Sequence, residues 1–126
     1  MVEPAWNIEL VKAPAARDLL PRAADGSIDW GDIKLCHLDT GYTDHPTFRD
    51  PISGQTWLRP QEGRNFIEGG PPLDPVDNRH LRGRSFGHGT RTLSVICGGA
   101  VALENGRRLA IGVAPGLPTV PCRVTS

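Results

Sequence analysis

The sequence predicts an α/β domain, with parallel strands in one sheet and helices packed against it. Three stretches predict it. Ile33 to Leu38, IKLCHL, is apolar at Ile33, Leu35, Cys36 and Leu38, a continuity that suits a strand covered on both faces of a parallel sheet. An apolar stretch at Leu93, Val95, Ile96, Ala100 and Val101 follows Gly87-His88-Gly89-Thr90. It predicts a helix from about His88 to Cys97, stopped by Gly98-Gly99. After Ile111 to Pro115 comes a last apolar run, Val120 to Thr125. Strand, helix and strand in this order make a right-handed βαβ unit.

The remaining elements are short. Ala13 to Leu20 is a helix candidate, and a turn follows at Asp25-Gly26, ahead of Trp30-Gly31. The first strand ends at Asp39-Thr40-Gly41, where glycine breaks it. From Thr47 to Gly87 periodicity is poor and punctuation dense, with Asp50-Pro51, Ser53-Gly54, Arg59-Pro60, Gly69-Gly70-Pro71-Pro72 and Asp74-Pro75. A long excursion with one short strand around Asn65 to Glu68 is expected there, and excursions of that length usually serve function or move. A polar turn is expected at Glu104 to Arg107.

At 126 residues the chain suffices for one small domain. It is 38% hydrophobic and 22% charged, with a mean hydropathy of -0.29, and its 15 Gly and 12 Pro favour turns over long helices. A formal net charge of 0 and a pI near 6.9 leave no electrostatic footprint for nucleic acid or an anionic membrane. Arg64, Arg79, Arg82, Arg84 and Arg91 crowd the middle, but Glu62, Glu68, Asp74 and Asp77 are interleaved with them, as in a solvated mixed-charge loop. Cys36, Cys97 and Cys122 each lie in an apolar run, in no metal-binding pair spacing. An odd count argues against a disulfide framework and for buried thiols acting as small hydrophobes. No stretch approaches the roughly 18 apolar residues of a membrane span. Met1 to Leu20 lacks the basic head and apolar core of a secretory signal. Localisation stays open, the cysteine count being compatible with the cytoplasm.

Active groups on parallel sheets collect at the carboxyl ends of strands, which is where Asp39 falls. Ile33 to Phe48, IKLCHLDTGYTDHPTF, resembles the aspartate block of the subtilisin-like serine proteases, an apolar strand, then D-[ST]-G, then a short loop and H-P. Phe86 to Gly98, FGHGTRTLSVICG, resembles their histidine block, and Ile111 to Val124, IGVAPGLPTVPCRV, their GVAP segment and following strand. Trp6 to Arg17 looks like the first helix of the mature catalytic domain. Any one motif is weak, but three in family order are specific.

The resemblance implies the N-terminal part of a subtilisin-like doubly wound parallel sheet, incomplete, so that residues 1–126 are a partial peptidase domain. It implies a serine endopeptidase acting on protein or peptide through an Asp-His-Ser triad, with Asp39 the orienting carboxylate and His88 the general base. The chemistry is consistent with those roles, since acyl transfer by serine needs a base that works near neutral pH and a carboxylate that fixes its tautomer.

Departures from the family pattern carry their own expectations. Arg91 and Ser94 stand where the family usually has histidine and glycine. The 49-residue separation of Asp39 and His88 is long, so a surface loop is expected to be inserted at about 49–64. Many members place a calcium-ligating Asp where this chain has Thr47, so no cofactor is predicted. Ser27, Ser53, Ser85, Ser94 and Ser126 all lack the nucleophile's G-T-S-x-[AS]-P context. The chain by itself is therefore expected to be inactive, its partner being the rest of the catalytic domain in cis or trans.

Two other readings compete. A non-catalytic module derived from this family, or one piece of a split or processed protease, would carry the same blocks. A metal-dependent hydrolase would use His37, Asp39, Asp44 and His45, with His80 and His88 downstream.

Overall fold

The computed structural model describes residues 6–68, 75–77, 87–102, 106 and 108–125. Helix α1 spans Trp6–Leu10 and α2 spans Ala13–Asp18. The segment resembling one first helix is thus two. Lys12, at φ 60°, is left-handed, and Pro14 lacks the N–H that an unbroken helix would bond to Leu10. α2 also stops short of Leu20, because the amides of Leu19 and Leu20 reach back only to Ala16 and Arg17 and tighten the last turn. The turn at Asp25-Gly26 forms as expected. Gly26 has φ 83°, and Asp25 Oδ1 accepts from the Ser27 amide at 2.9 Å and its hydroxyl at 2.6 Å.

Strand β1, Leu35–Asp39, lies parallel to the last strand, Thr119–Arg123, with Cys36 opposite Val120 and Asp39 opposite Arg123. Between them in sequence runs α3, His88–Cys97. Its buried residues Gly89, Leu93 and Cys97 repeat every four positions, the stripe that one helix face presents to a core. Strands β2, Ala100–Ala102, and β3, Arg108–Ala110, form an antiparallel hairpin, which makes the last strand β4. The hairpin was not expected, since three-residue strands are too short to show a period. The expected turn at Glu104 to Arg107 lies outside the described residues except for Gly106, as do Arg79, His80, Arg82, Arg84, Ser85 and Ser126. The result is a small mixed α/β domain which, among the described residues, has one parallel strand pair and one antiparallel pair.

Three expectations need correction. β1 is not covered on both faces: His37 is 8% exposed, but Leu38 is 62% exposed and Cys36 lies open. Only the His37 face meets α3, through Thr92. For the same reason Cys36 is not a buried thiol, although Cys97 and Cys122 are; its Sγ lies 3.8 Å from that of Cys122. Finally, Asn65 to Glu68 is a single bridge to Arg123 rather than a strand. The Asn65 carboxamide accepts from the amides of Ile67 and Glu68 and turns the chain away.

The stretch at 49–64 is tied to the sheet. Asp50 Oδ1 caps a turn through the Ile52 and Ser53 amides, Arg49 bridges Thr56, and Leu58 bridges Thr119. β4 is therefore flanked by β1 on one edge and by Leu58 and Asn65 on the other. The core joins Phe48, Leu58, Leu93, Cys97 and Leu117, with Trp30, Leu35 and Trp57 packed against it. Burying each of the larger apolar side chains contributes about 1.5–3 kcal/mol. Among the described residues no helix is long and apolar enough to cross a membrane.

Candidate active site

Asp39 is the last residue of β1 and His88 the first of α3, so the end of a strand and the start of a helix must meet. Glycine permits it. Gly87 caps α3 at φ 68°, and a Cβ on Gly89 would collide with the Gly41 carbonyl. The backbones therefore touch where side chains would hold them apart. His88 Nδ1 then lies 2.7 Å from Asp39 Oδ1 and 2.9 Å from Oδ2. The carboxylate is 13% exposed and the imidazole 51%.

A buried polar network fixes this meeting. Thr40 Oγ1 accepts from the Gly89 amide at 2.9 Å and donates to Asp77 Oδ2 at 3.0 Å, while the Gly87 amide donates to the same oxygen at 2.8 Å. Arg123 Nη1 donates to the Thr40 carbonyl at 2.8 Å and meets Asp77 Oδ1 at 3.3 Å; Nη2 pairs with Glu68 at 3.0 Å. Arg123 is 1% exposed, so its charge has no solvent to fall back on. Thr90 adds a tie, its hydroxyl accepting from the Thr43 amide at 2.8 Å.

Burial alone would push the Asp39 carboxyl up. The His88 hydrogen bond, the Thr40 amide at 2.7 Å and the nearby imidazoles outweigh it and hold the group below its ordinary value. It is thus a carboxylate at neutral pH. By accepting the Nδ1 proton it leaves Nε2 as the basic nitrogen of an exposed ring, able to take a proton from a hydroxyl or water. His37 enters beside it: its Nε2 is 2.9 Å from Thr92 Oγ1 and 3.7 Å from Asp39 Oδ2. Burial is the main cause that pushes the His37 imidazole below its ordinary 6.5.

The remaining candidates among the described residues do not join this group. Asp44 pairs with Arg49 at 2.8 Å, and His45 Nδ1 accepts from the Thr47 amide at 3.2 Å. Among the described residues no three His, Cys, Asp or Glu side chains gather to hold a metal ion. Arg91 is exposed. The hydroxyls of Ser27, Ser53 and Ser94 bond locally, to Asp25, Asp50 and the Arg91 carbonyl. Sequence reasoning missed Thr40, Asp77, Thr92 and Arg123 as parts of the site. Arg123 had a signal, a lone charge inside an apolar strand, whereas Asp77 sits in an aperiodic stretch and had none. Comparison with known proteins finds no family model, curated protein or solved structure that matches the chain.

Proposed function

We propose that this chain supplies the aspartate and the histidine of a subtilisin-like serine endopeptidase, and that the nucleophilic serine and its oxyanion donors come from sequence outside these 126 residues. The observation that carries the reading is the 2.7 Å contact of His88 Nδ1 with a carboxylate at the end of a parallel strand. A base held this way deprotonates an attacking serine hydroxyl through Nε2, and the resulting imidazolium is stabilised by Asp39 before it returns the proton to the leaving amine. The substrate is a protein or peptide. The three ordered sequence blocks support a doubly wound sheet once the remaining strands are added.

The partner is the rest of that catalytic domain, in cis or trans. Among the described residues β1 pairs only with β4, so its other edge is open to a further strand. The same open edge, with the described serines all engaged locally, favours as a second reading a non-catalytic module that only assembles with another chain.

A fluorophosphonate probe separates the two. In the full-length protein the probe is expected to label one serine, and His88→Ala to slow labelling by roughly a thousandfold or more. Labelling that ignores His88 would sink its assigned role. Absence of any labelled serine would favour the non-catalytic module.

A further inference from the structure

A second histidine reaches the same carboxylate, and the triad chemistry makes no use of it. His37 lies two residues before Asp39 on one face of β1, and Thr92 one turn after His88 on α3. Thr92 Oγ1 is 2.9 Å from His37 Nε2 and 3.3 Å from Asp39 Oδ2. His37 Nδ1 is buried and has no hydrogen-bond partner among the described residues.

One hydroxyl hydrogen must be placed among these groups. If it pointed at His37 Nε2, lone pairs would face the Asp39 carboxylate, and the histidine proton would sit on Nδ1 as a buried, unpaired donor. Both arrangements cost free energy. Turned toward Asp39 it finds the strongest acceptor in reach, ahead of the helix carbonyls of His88 at 3.2 Å and Gly89 at 3.1 Å. Thr92 then needs a donor behind it. Among the described residues the charged and titratable groups facing His37 are Asp39 on its own strand and His88 from α3, while Pro121 of β4 lies opposite. Burial keeps the imidazole neutral near pH 7, so only one of its nitrogens donates.

We propose that His37 is a positioning residue: held as the Nε2–H tautomer it donates to Thr92, Thr92 donates to Asp39 Oδ2, and this relay fixes the carboxylate orientation that His88 meets. The proposal rests on the reading of Asp39 as the orienting carboxylate of a serine protease. Conservative pairs of variants test it, since Gln retains a donor at the Nε2 position and Ser retains the hydroxyl.

In the 15N-histidine-labelled protein above neutral pH, His37 is expected to show a protonated Nε2 and a bare Nδ1. The low-field Nδ1 proton of His88 is expected to shift in Thr92→Val and His37→Phe and to stay in place in Thr92→Ser and His37→Gln. In the full-length protein the same two disruptive variants should slow fluorophosphonate labelling about tenfold, and the conservative ones should stay within about threefold of wild type. A His37 protonated on Nδ1, or a Thr92→Val variant that moves neither the His88 proton nor the labelling rate, overturns the relay. The tautomer is read on the unmodified protein and needs no variant to fold. If wild type never labels while the His37 and His88 signatures hold, the protease reading fails and the relay stands. Normal labelling with a silent Thr92→Val fails the relay alone.

Discussion

A histidine only 8% exposed is tolerated in its neutral form, and for His37 that requirement reaches the stability of the whole chain. Its folded pKa is depressed below the ordinary 6.5. As pH falls through 6.5 the unfolded chain takes up a proton that the folded chain refuses, so the contribution present above 6.5 is lost as pH falls through the folded value. Asp39 has the same sign in a more acidic window, its contribution present above 3.8 and lost as pH falls through its lowered value. The melting temperature is therefore expected to decline on acidification from about 6.5, and His37→Gln to decline less over that range. Equal slopes, measured by differential scanning calorimetry across a pH series, would show that His37 does not contribute. His37 was legible in the sequence only as a candidate metal ligand, because nothing in the spacing of residues 37 and 92 reveals that a threonine on a distant helix meets its ring.

The start of α3 is held from below by the Asp77–Arg123 pair, which ties together the end of β1, the cap of α3 and the end of β4. Arg123→Met leaves Asp77 as a buried, uncompensated charge and is expected to cost about 3–5 kcal/mol. Asp77→Asn retains an oxygen that accepts from Thr40 and Gly87, and should cost less, about 1–3 kcal/mol. Denaturant titration of both variants checks the order. An Arg123→Met chain within about 1 kcal/mol of wild type would mean that the pair is not what holds the helix start. Legibility varied at this scale for physical reasons. The apolar stretch after His88 and the Gly98-Gly99 stop gave α3 its true bounds, and the apolar runs located β1 and β4 to within one or two residues. Lys12 broke the first helix through a backbone conformation that periodicity does not encode. Asn65 looked like part of a strand because its own side chain, rather than its neighbours, decides that the chain turns there.

At the scale of the whole molecule, one face of β1 is left uncovered. Leu38 is 62% exposed and Cys36 lies open, beside a strand edge that no described residue pairs. Residues 1–126 on their own are expected to dimerise or aggregate at micromolar concentration, and, under the proposed assembly, to become monomeric when the proposed remainder of the domain is supplied. Sedimentation velocity combined with calorimetry decides this, and a monomer that melts cooperatively without any partner would count against the proposed assembly. The α/β class was legible at this scale from the order of its apolar runs. The strand's own residues do not show the open face, because an apolar strand has the same sequence whether or not its cover is present. The pairing of Leu35–Asp39 with Thr119–Arg123 joins opposite ends of the chain, and such non-local closure is slow. During synthesis Asp39 and His88 both emerge well before Arg123, so the nascent chain holds two reactive side chains with no clamp to bring them together. The geometry of the Asp39–His88 pair is therefore set only after residue 123 has left the ribosome.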